Sequence, residues 1–274
     1  MPNFDEMTRK RVVYAIPTME QAQVKHNLTY KTVNDTELKM DVYYPADFQF
    51  DAFLPAVIFV HGDAPPNMLE NAKDWEQYVS WGQLVAASGL IAVTFTHRST
   101  EGLTRLSDVV SDIDDLIFRV HEQAESLSID KERLCIWAGS AGVPFGMRVA
   151  MEEAPPWVRC IVAYYGPMDM QAMRDLFPAE VTDEYLRELS ALYHMKQNPT
   201  LIAPLFLAKA GVDRPDLNES INTFVEAALS NEIMLTLMTH PQGQHAFDIL
   251  DNDARSREII RATLEFMKTH LLSQ

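Results

Sequence analysis

Cysteine, basic residues and long apolar runs are all scarce in this chain. It has two cysteines, 23 Lys and Arg against 39 Asp and Glu, and a formal net charge of −16. The acidic excess disfavours binding to nucleic acid backbones and to anionic membrane surfaces, because both attract basic proteins. No apolar run is long enough to span a bilayer. We therefore expect neither a nucleic acid nor a membrane as a partner.

Signals for secretion and for metal binding are also missing from the sequence. Residues 1–11 have no apolar segment after a basic start, so we expect no secretory signal. Cys135 and Cys160 lie in apolar runs typical of strands, which favours buried reduced thiols over a disulfide and indicates a cytoplasmic location. The eight histidines are scattered, with no Cys or His pair at zinc spacing, so we predict no metal site.

Most of the chain alternates between short apolar runs and amphipathic stretches. An opening hairpin is predicted around Asn34-Asp35, which is a turn signal between two alternating segments. Continuous apolar runs follow at 56–60, 90–95, 134–138, 160–165, 204–210 and 233–239. Such runs are typical of strands buried on both faces, as in a parallel sheet covered by helices.

Three of the intervening stretches have the spacing of amphipathic helices, at 106–124, 216–230 and 254–272. Ser107 is the candidate N-cap of the first helix, and Asp216 with Glu219 resembles a capping box at the second. In the first helix, Asp112 and Asp115 are predicted to face away from the apolar side.

The alternation of strands and helices predicts an α/β fold with a mostly parallel central sheet of about eight strands and helices on both faces. No repeat, low-complexity tract or Gly/Ser linker divides the chain, so we expect a single domain over 1–274. Residues 1–27 are interpreted as an N-terminal arm, and an insert near 166–200 is a candidate cap. Sites of such folds lie at the carboxyl ends of the strands.

Ser140 directly follows the strand at 134–138 and is surrounded by small residues in the stretch Ala138-Gly-Ser-Ala-Gly142. A nucleophile on a sharp strand-to-helix turn needs small neighbours, and the usual pattern is G-x-S-x-G. Here alanine replaces the first glycine. Because a close-packed corner would show the same letters, the motif alone leaves a catalytic and a purely structural role open.

A second polar turn, His61-Gly62, follows the strand at 56–60. In hydrolases of this architecture, the loop at this place supplies one oxyanion N–H, and the residue after the nucleophile supplies the other. This predicts backbone donors at Asp63 or Ala64 and at Ala141. A carboxylate at position 63 would oppose the developing negative charge unless it turns away.

Candidates for the general base and for the acid that orients it follow later strands. His245 lies on a Gly-containing loop after the strand at 233–239, and His240 is a competitor that lies too close to the strand. For the acid, Asp213 has no visible structural role, whereas Asp216 and Asp169 remain alternatives. Ser140, Asp213 and His245 occur in the chain order Ser, acid, His expected of a triad on this fold.

These residues make the chain similar to the α/β-hydrolase superfamily, in its esterase and dienelactone-hydrolase-like branch. The resemblance rests on VIFVHGD (57–63), AGSAG (138–142), LAKAGVD (207–213) and GQHAFD (243–248), and it covers about residues 28–272. It implies Ser140 as nucleophile, His245 as base, Asp213 as acid and oxyanion N–H groups at Asp63 or Ala64 and at Ala141. Dienelactone hydrolases proper have cysteine where this chain has serine.

The resemblance implies a serine hydrolase that acts on carboxylic esters of small molecules through an acyl-enzyme, with no cofactor. A lactone or small-peptide hydrolase and a non-catalytic binding protein of the same fold are the alternatives, and a homo-oligomer is left open. The expected substrate pocket includes His61 and three side chains of the 166–200 insert, which are Met168, Met170 and Phe177.

Overall fold

A computed structural model describes residues 4–273, and its main feature is an eight-stranded sheet. Its strands are β1 (Gln23–Val33), β2 (Thr36–Tyr44), β3 (Leu54–Val60), β4 (Ile91–Phe95), β5 (Ile129–Gly139), β6 (Val158–Tyr164), β7 (Leu205–Ala210) and β8 (Leu235–His240). They lie in the order β1-β2-β4-β3-β5-β6-β7-β8. The β1–β2 and β2–β4 pairs are antiparallel and all the others are parallel, which confirms the predicted sheet.

The α-helices connect these strands and cover the sheet. In chain order they are α1 (Phe4–Met7), α2 (Pro66–Leu69), α3 (Glu76–Ala87), α4 (Leu106–Glu122), α5 (Val143–Met151), α6 (Asp183–Glu188), α7 (Ala191–Gln197), α8 (Pro215–Ser230), α9 (Phe247–Leu250) and α10 (Ala254–Leu272). The 166–200 insert contains α6, α7 and a short 3-10 helix, Gln171–Leu176.

Two apolar layers, one on each face of the sheet, explain why the strands appear in the sequence as continuous apolar runs. Along β3, Ile58 belongs to the layer with α4, α5 and α8, whereas its neighbours Val57 and Phe59 belong to the layer with α3 and α10. Side chains of a strand alternate between faces, so burial of both faces requires apolar residues at every position. Cys135 and Cys160 are buried free thiols in adjacent strands, as expected.

The β1–β2 hairpin turns at the predicted place. Asn34 and Asp35 both have positive φ, 47° and 64°, between strands that end at Val33 and begin at Thr36. Two-residue hairpins favour this left-handed backbone at both positions, and Asn and Asp tolerate it better than most residues. The turn therefore fixes the register of the first two strands.

Three local predictions for the helices are wrong. Leu106 starts α4 after Arg105, so Ser107 lies inside the helix and not at its cap. Asp216 lies in the first turn of α8, where it pairs with Arg214 instead of capping the helix. Asp112 does not face solvent; it is fully buried, because Arg98 and Lys31 supply the positive charge that makes its burial tolerable.

Small residues permit the close approach of β5 and α5 that places the turn at Ser140. A Cβ added to Gly142 would lie 2.3 Å from the carbonyl oxygen of His61, so only glycine fits there. A Cβ added to Gly146 would lie 2.8 Å from the Cβ of Ala138. The alanine that replaces the usual first glycine is therefore accommodated by a glycine in the facing helix.

We expect Gly146→Ala to lower the free energy of unfolding by about 1–3 kcal/mol, because the new methyl group overpacks against Ala138. The double variant Ala138→Gly/Gly146→Ala moves the methyl group from the strand to the helix and should recover part of the loss. Urea unfolding of the two variants and of Ala138→Gly measures this coupling. Equal instability of the double and the Gly146→Ala variants would contradict the proposed contact.

Candidate active site

Ser140 lies at the carboxyl end of β5 on a strained turn. Its φ is 54°, in the left-handed region that non-glycine residues rarely adopt. A 3-10 turn, Ser140–Gly142, leads directly into α5, with Pro144 in the first turn of that helix as predicted. Such strain at a serine between a strand and a helix is typical of a nucleophile elbow.

A chain of two short hydrogen bonds joins Ser140, His245 and Asp213. The distance from Ser140 Oγ to His245 Nε2 is 2.7 Å, and that from His245 Nδ1 to Asp213 Oδ2 is 2.6 Å. A carboxylate can only accept, so Nδ1 of a neutral His245 carries the proton and Nε2 is left to accept from the serine hydroxyl. The Asp213 side chain is 5% exposed, which shields its bond to the histidine from water.

The competing residues have other partners. The side chain of Asp216 pairs with Arg214, and that of Asp169 accepts from Gln171 N and Ser190 Oγ. At the end of β8, His240 lies 2.9 Å from Asp253 through its Nε2 atom. Of the residues that the sequence offered, the structure thus brings Asp213 and His245 to Ser140.

The loop after β3 contacts the Ser140 turn from the other side. Gly62 packs so closely that an added Cβ would lie 3.2 Å from Ser140 Cβ, and its N–H points to Tyr78 Oη at 3.4 Å. Asp63 and Ala141 both line the cavity above Ser140. Ala64 does not; its carbonyl accepts a hydrogen bond from Ser99 Oγ. Of the two candidate donors on this loop, Asp63 therefore lies in the cavity wall and Ala64 does not.

The side chain of Asp63 turns toward the segment after β4. Its carboxylate accepts hydrogen bonds from Thr100 N at 3.1 Å, from Thr100 Oγ1 and from Ser99 Oγ at 3.2 Å. These donors hold both oxygens in place. They also offset part of the negative charge that the sequence left unexplained at this position.

A cavity of about 700 Å³ opens above Ser140, and its lining is mainly apolar. Met170 and Phe177 of the insert line it as expected, and Met7 of the N-terminal segment also reaches it. Further apolar lining residues are Leu103, Leu106, Pro144, Phe145, Met173, Leu176, Val212, Leu217 and Leu250. The insert and the N-terminal segment thus both form walls of the space that a substrate would occupy.

His61 and Met168 do not line this cavity, contrary to expectation. The His61 ring is fully buried and stacks on His97, with ring centroids 3.6 Å apart. Burial and the neighbouring His97 lower the pKa of His61 well below its usual value, so the ring is neutral. Its nitrogens contact Gly62 O and His97 N, which makes it a support of the loop. Met168 packs in the apolar layer below the insert.

A buried carboxylate that the sequence analysis missed lies behind the site. Asp248 accepts from Tyr165 Oη at 2.6 Å, Trp81 Nε1 at 2.9 Å and Gln77 Nε2 at 3.0 Å. Burial raises its pKa above the usual value, against the effect of these donors. The ring of Tyr165 in turn lies 4.7 Å from the His245 ring. Asp248 thus stabilises the wall against which His245 rests.

Within residues 4–273, no helix combines the length and apolar character needed to cross a membrane. In the same part of the chain, no group of three or more His, Cys, Asp or Glu side chains could hold a metal ion.

Structures of an esterase from the Planctomycetes species Thermogutta terrifontis are similar to this structure. Its butyrate-bound esterase 2 is 21% identical, with a TM-score of 0.71, over 92% of this chain and 95% of that chain. The native form is 19% identical with a TM-score of 0.73, over 96% of both chains. A form phosphorylated by paraoxon is 18% identical with a TM-score of 0.69, over 93% of this chain and 97% of that chain.

These likenesses and the sheet order define an α/β-hydrolase fold, as predicted. A family model named BD-FAE matches residues 40–203, which is more than half of the chain, and the chain belongs to this α/β-hydrolase family. No curated protein sequence matches the chain significantly. The assignment to a dienelactone-hydrolase-like branch stays a prediction.

We expect Asp248→Ala to lower the free energy of unfolding by about 3 kcal/mol or more, because it leaves the buried Tyr165 and Trp81 donors without an acceptor and takes one of two acceptors from Gln77. Tyr165→Phe removes one donor and leaves two in place, so its loss should be about 1–2 kcal/mol. Chemical denaturation of both variants provides the comparison. A loss for Asp248→Ala no larger than that for Tyr165→Phe would contradict the role of Asp248 as the shared acceptor.

Proposed function

We propose that this protein is a serine hydrolase that cleaves carboxylic esters of small molecules. The observation that carries the proposal is the continuous hydrogen-bonded chain Ser140–His245–Asp213 at the floor of an apolar cavity. The fold and the BD-FAE family membership support a hydrolase. The similar esterase occurs with butyrate bound and phosphorylated by paraoxon, which is the behaviour of an esterase with a reactive nucleophile.

In the proposed mechanism, His245 Nε2 accepts the Ser140 proton as the hydroxyl oxygen attacks the ester carbonyl. Asp213 keeps the other ring nitrogen protonated and stabilises the imidazolium that forms. The tetrahedral oxyanion receives hydrogen bonds from the backbone N–H groups of Asp63 and Ala141. The latter N–H lies at the start of a helical turn, where no intrahelical acceptor is available.

The second half of the reaction uses the same groups. The imidazolium of His245 protonates the departing alcohol, which leaves an acyl group on Ser140. A water molecule activated by His245 then attacks this acyl-enzyme and releases the acid. Only side chains and backbone groups of this chain and water take part in these steps. The apolar walls accommodate an apolar acyl group.

A fluorophosphonate probe should label the folded protein once, at Ser140, because the activated hydroxyl attacks phosphorus as it attacks a carbonyl carbon. Intact mass and peptide mapping identify the adduct. The Ser140→Ala variant should stay unlabelled, as should the urea-denatured wild type. A folded protein that resists the probe, or an adduct on another serine, would contradict the assignment of the nucleophile.

Turnover by the same preparation separates esters from the alternatives. We expect the highest kcat/KM on 4-nitrophenyl esters, compared with lactones and aminoacyl amides, and no turnover by Ser140→Ala. A preference for lactones or amides would agree with a serine hydrolase but would contradict esters as its substrate class. Labelling without turnover of any of the three classes would argue against the proposed substrates.

We expect Asp213→Asn to lower kcat by roughly 10³- to 10⁴-fold, because an amide can hold His245 in the tautomer that cannot accept the serine proton. The matched controls are Asp216→Asn and Asp169→Asn, which change the two competing acids in the same way. Both should retain kcat close to that of the wild type. Steady-state kinetics on one 4-nitrophenyl ester measures these values of kcat. If kcat fell in either control as far as it falls in Asp213→Asn, the assignment of Asp213 as the orienting acid would be wrong.

A further inference from the structure

The Asp63 carboxylate is a fixed negative charge in the wall of the candidate substrate cavity. Donors from Ser99 and Thr100 hold both of its oxygens. Over residues 4–273, no Lys or Arg forms an ion pair with it. Hydrogen bonds from neutral donors offset the charge of a carboxylate only in part.

The other charged side chains in the described lining of this cavity are already paired. They are Asp213, which accepts from His245, and Arg214, whose guanidinium is bound to Asp216 outside the cavity. The remaining lining is apolar or uncharged, apart from the His245 ring. Asp63 therefore presents to an ester in the cavity a negative charge that no ion pair balances.

The position of Asp63 in the cavity wall decides which half of an ester it meets. Thr100, which binds its carboxylate, also accepts from Leu103 N at 3.1 Å, so Asp63, Thr100 and Leu103 form one part of the wall. In the proposed mechanism the departing alcohol takes its proton from His245, so it leaves on the His245 side. The acyl chain is then the part of the substrate that extends toward Asp63.

We infer that Asp63 restricts this site to esters with neutral or cationic acyl groups and selects against acyl groups that carry a carboxylate. The inference rests on the proposed function. Two like charges in a cavity with apolar walls repel each other more strongly than they do in water, and selection by such repulsion is a common source of specificity. We expect a discrimination of about tenfold or more.

The net charge of −16 would also disfavour anionic substrates, but through a longer-range effect. The salt dependence of kcat/KM distinguishes this long-range repulsion from repulsion by Asp63 inside the cavity. Repulsion between charges farther apart than the Debye length, about 8 Å at physiological ionic strength, is largely screened by 0.5 M salt. Repulsion inside the cavity persists.

The experiment compares matched substrates within each variant. The anionic substrate is 4-nitrophenyl 5-carboxypentanoate, and its neutral isostere is 4-nitrophenyl 5-carbamoylpentanoate. In the wild type, kcat/KM should be at least tenfold higher for the amide, in both 0.05 M and 0.5 M salt. Asp63→Asn should reduce this ratio to about threefold or less, whatever its effect on absolute rates, because a change common to both substrates cancels.

Glu101→Gln is the matched control, since it removes one negative charge from an exposed residue outside this cavity. It should keep the wild-type ratio and the wild-type activity. A wild-type ratio near one, a ratio that survives Asp63→Asn, or an equal fall in Glu101→Gln would overturn the inference. Failure of the proposed function looks different: neither substrate is turned over and the fluorophosphonate label is absent.

A second measurement needs no variant and therefore does not depend on the folding of Asp63→Asn. The cationic substrate is 4-nitrophenyl 5-(trimethylammonio)pentanoate, with the 6,6-dimethylheptanoate ester as its neutral isostere. Two ratios of kcat/KM are compared in the wild type: neutral isostere over cationic ester, and neutral amide over carboxylate ester. The first ratio should be smaller than the second. Equal ratios would indicate that any charge is excluded, and the inference would then be wrong.

Discussion

The close approach of backbone to backbone at the end of β5 is the constraint on which the rest of the site depends. Gly142 leaves no room for a side chain against the His61 carbonyl, so the turn after β3 and the turn after β5 are held together. This contact places the candidate oxyanion donors on either side of Ser140. The left-handed backbone of Ser140 is tolerated because packing on both sides determines it.

Residues with structural roles and residues with candidate chemical roles lie in different parts of the sheet. Both of its faces are covered by helices, and the side chains packed there are mainly apolar. The polar chemistry collects at one edge, where β5, β7 and β8 end just before Ser140, Asp213 and His245. Because parallel strands all present their carboxyl ends at the same edge, residues far apart in the chain meet without any long connection.

The sequence predicted the strands and the meeting of these three residues because both follow from local patterns: continuous apolar runs, and polar residues directly after them. It failed where a partner comes from elsewhere in the chain. Helical spacing put Asp112 on the outside, since it could not include Arg98 and Lys31 from other elements. Asp248 was missed for the same reason, and the apolar context of its own segment was the only available signal.

Asp248 also ties the N-terminal segment to the loop that carries His245. Its backbone carbonyl accepts from Val13 N at 2.8 Å, while its side chain binds α3 and Tyr165. Opening of any one of these parts breaks a hydrogen bond to this one residue. We therefore expect the segment, α3 and the His245 loop to open together in local unfolding.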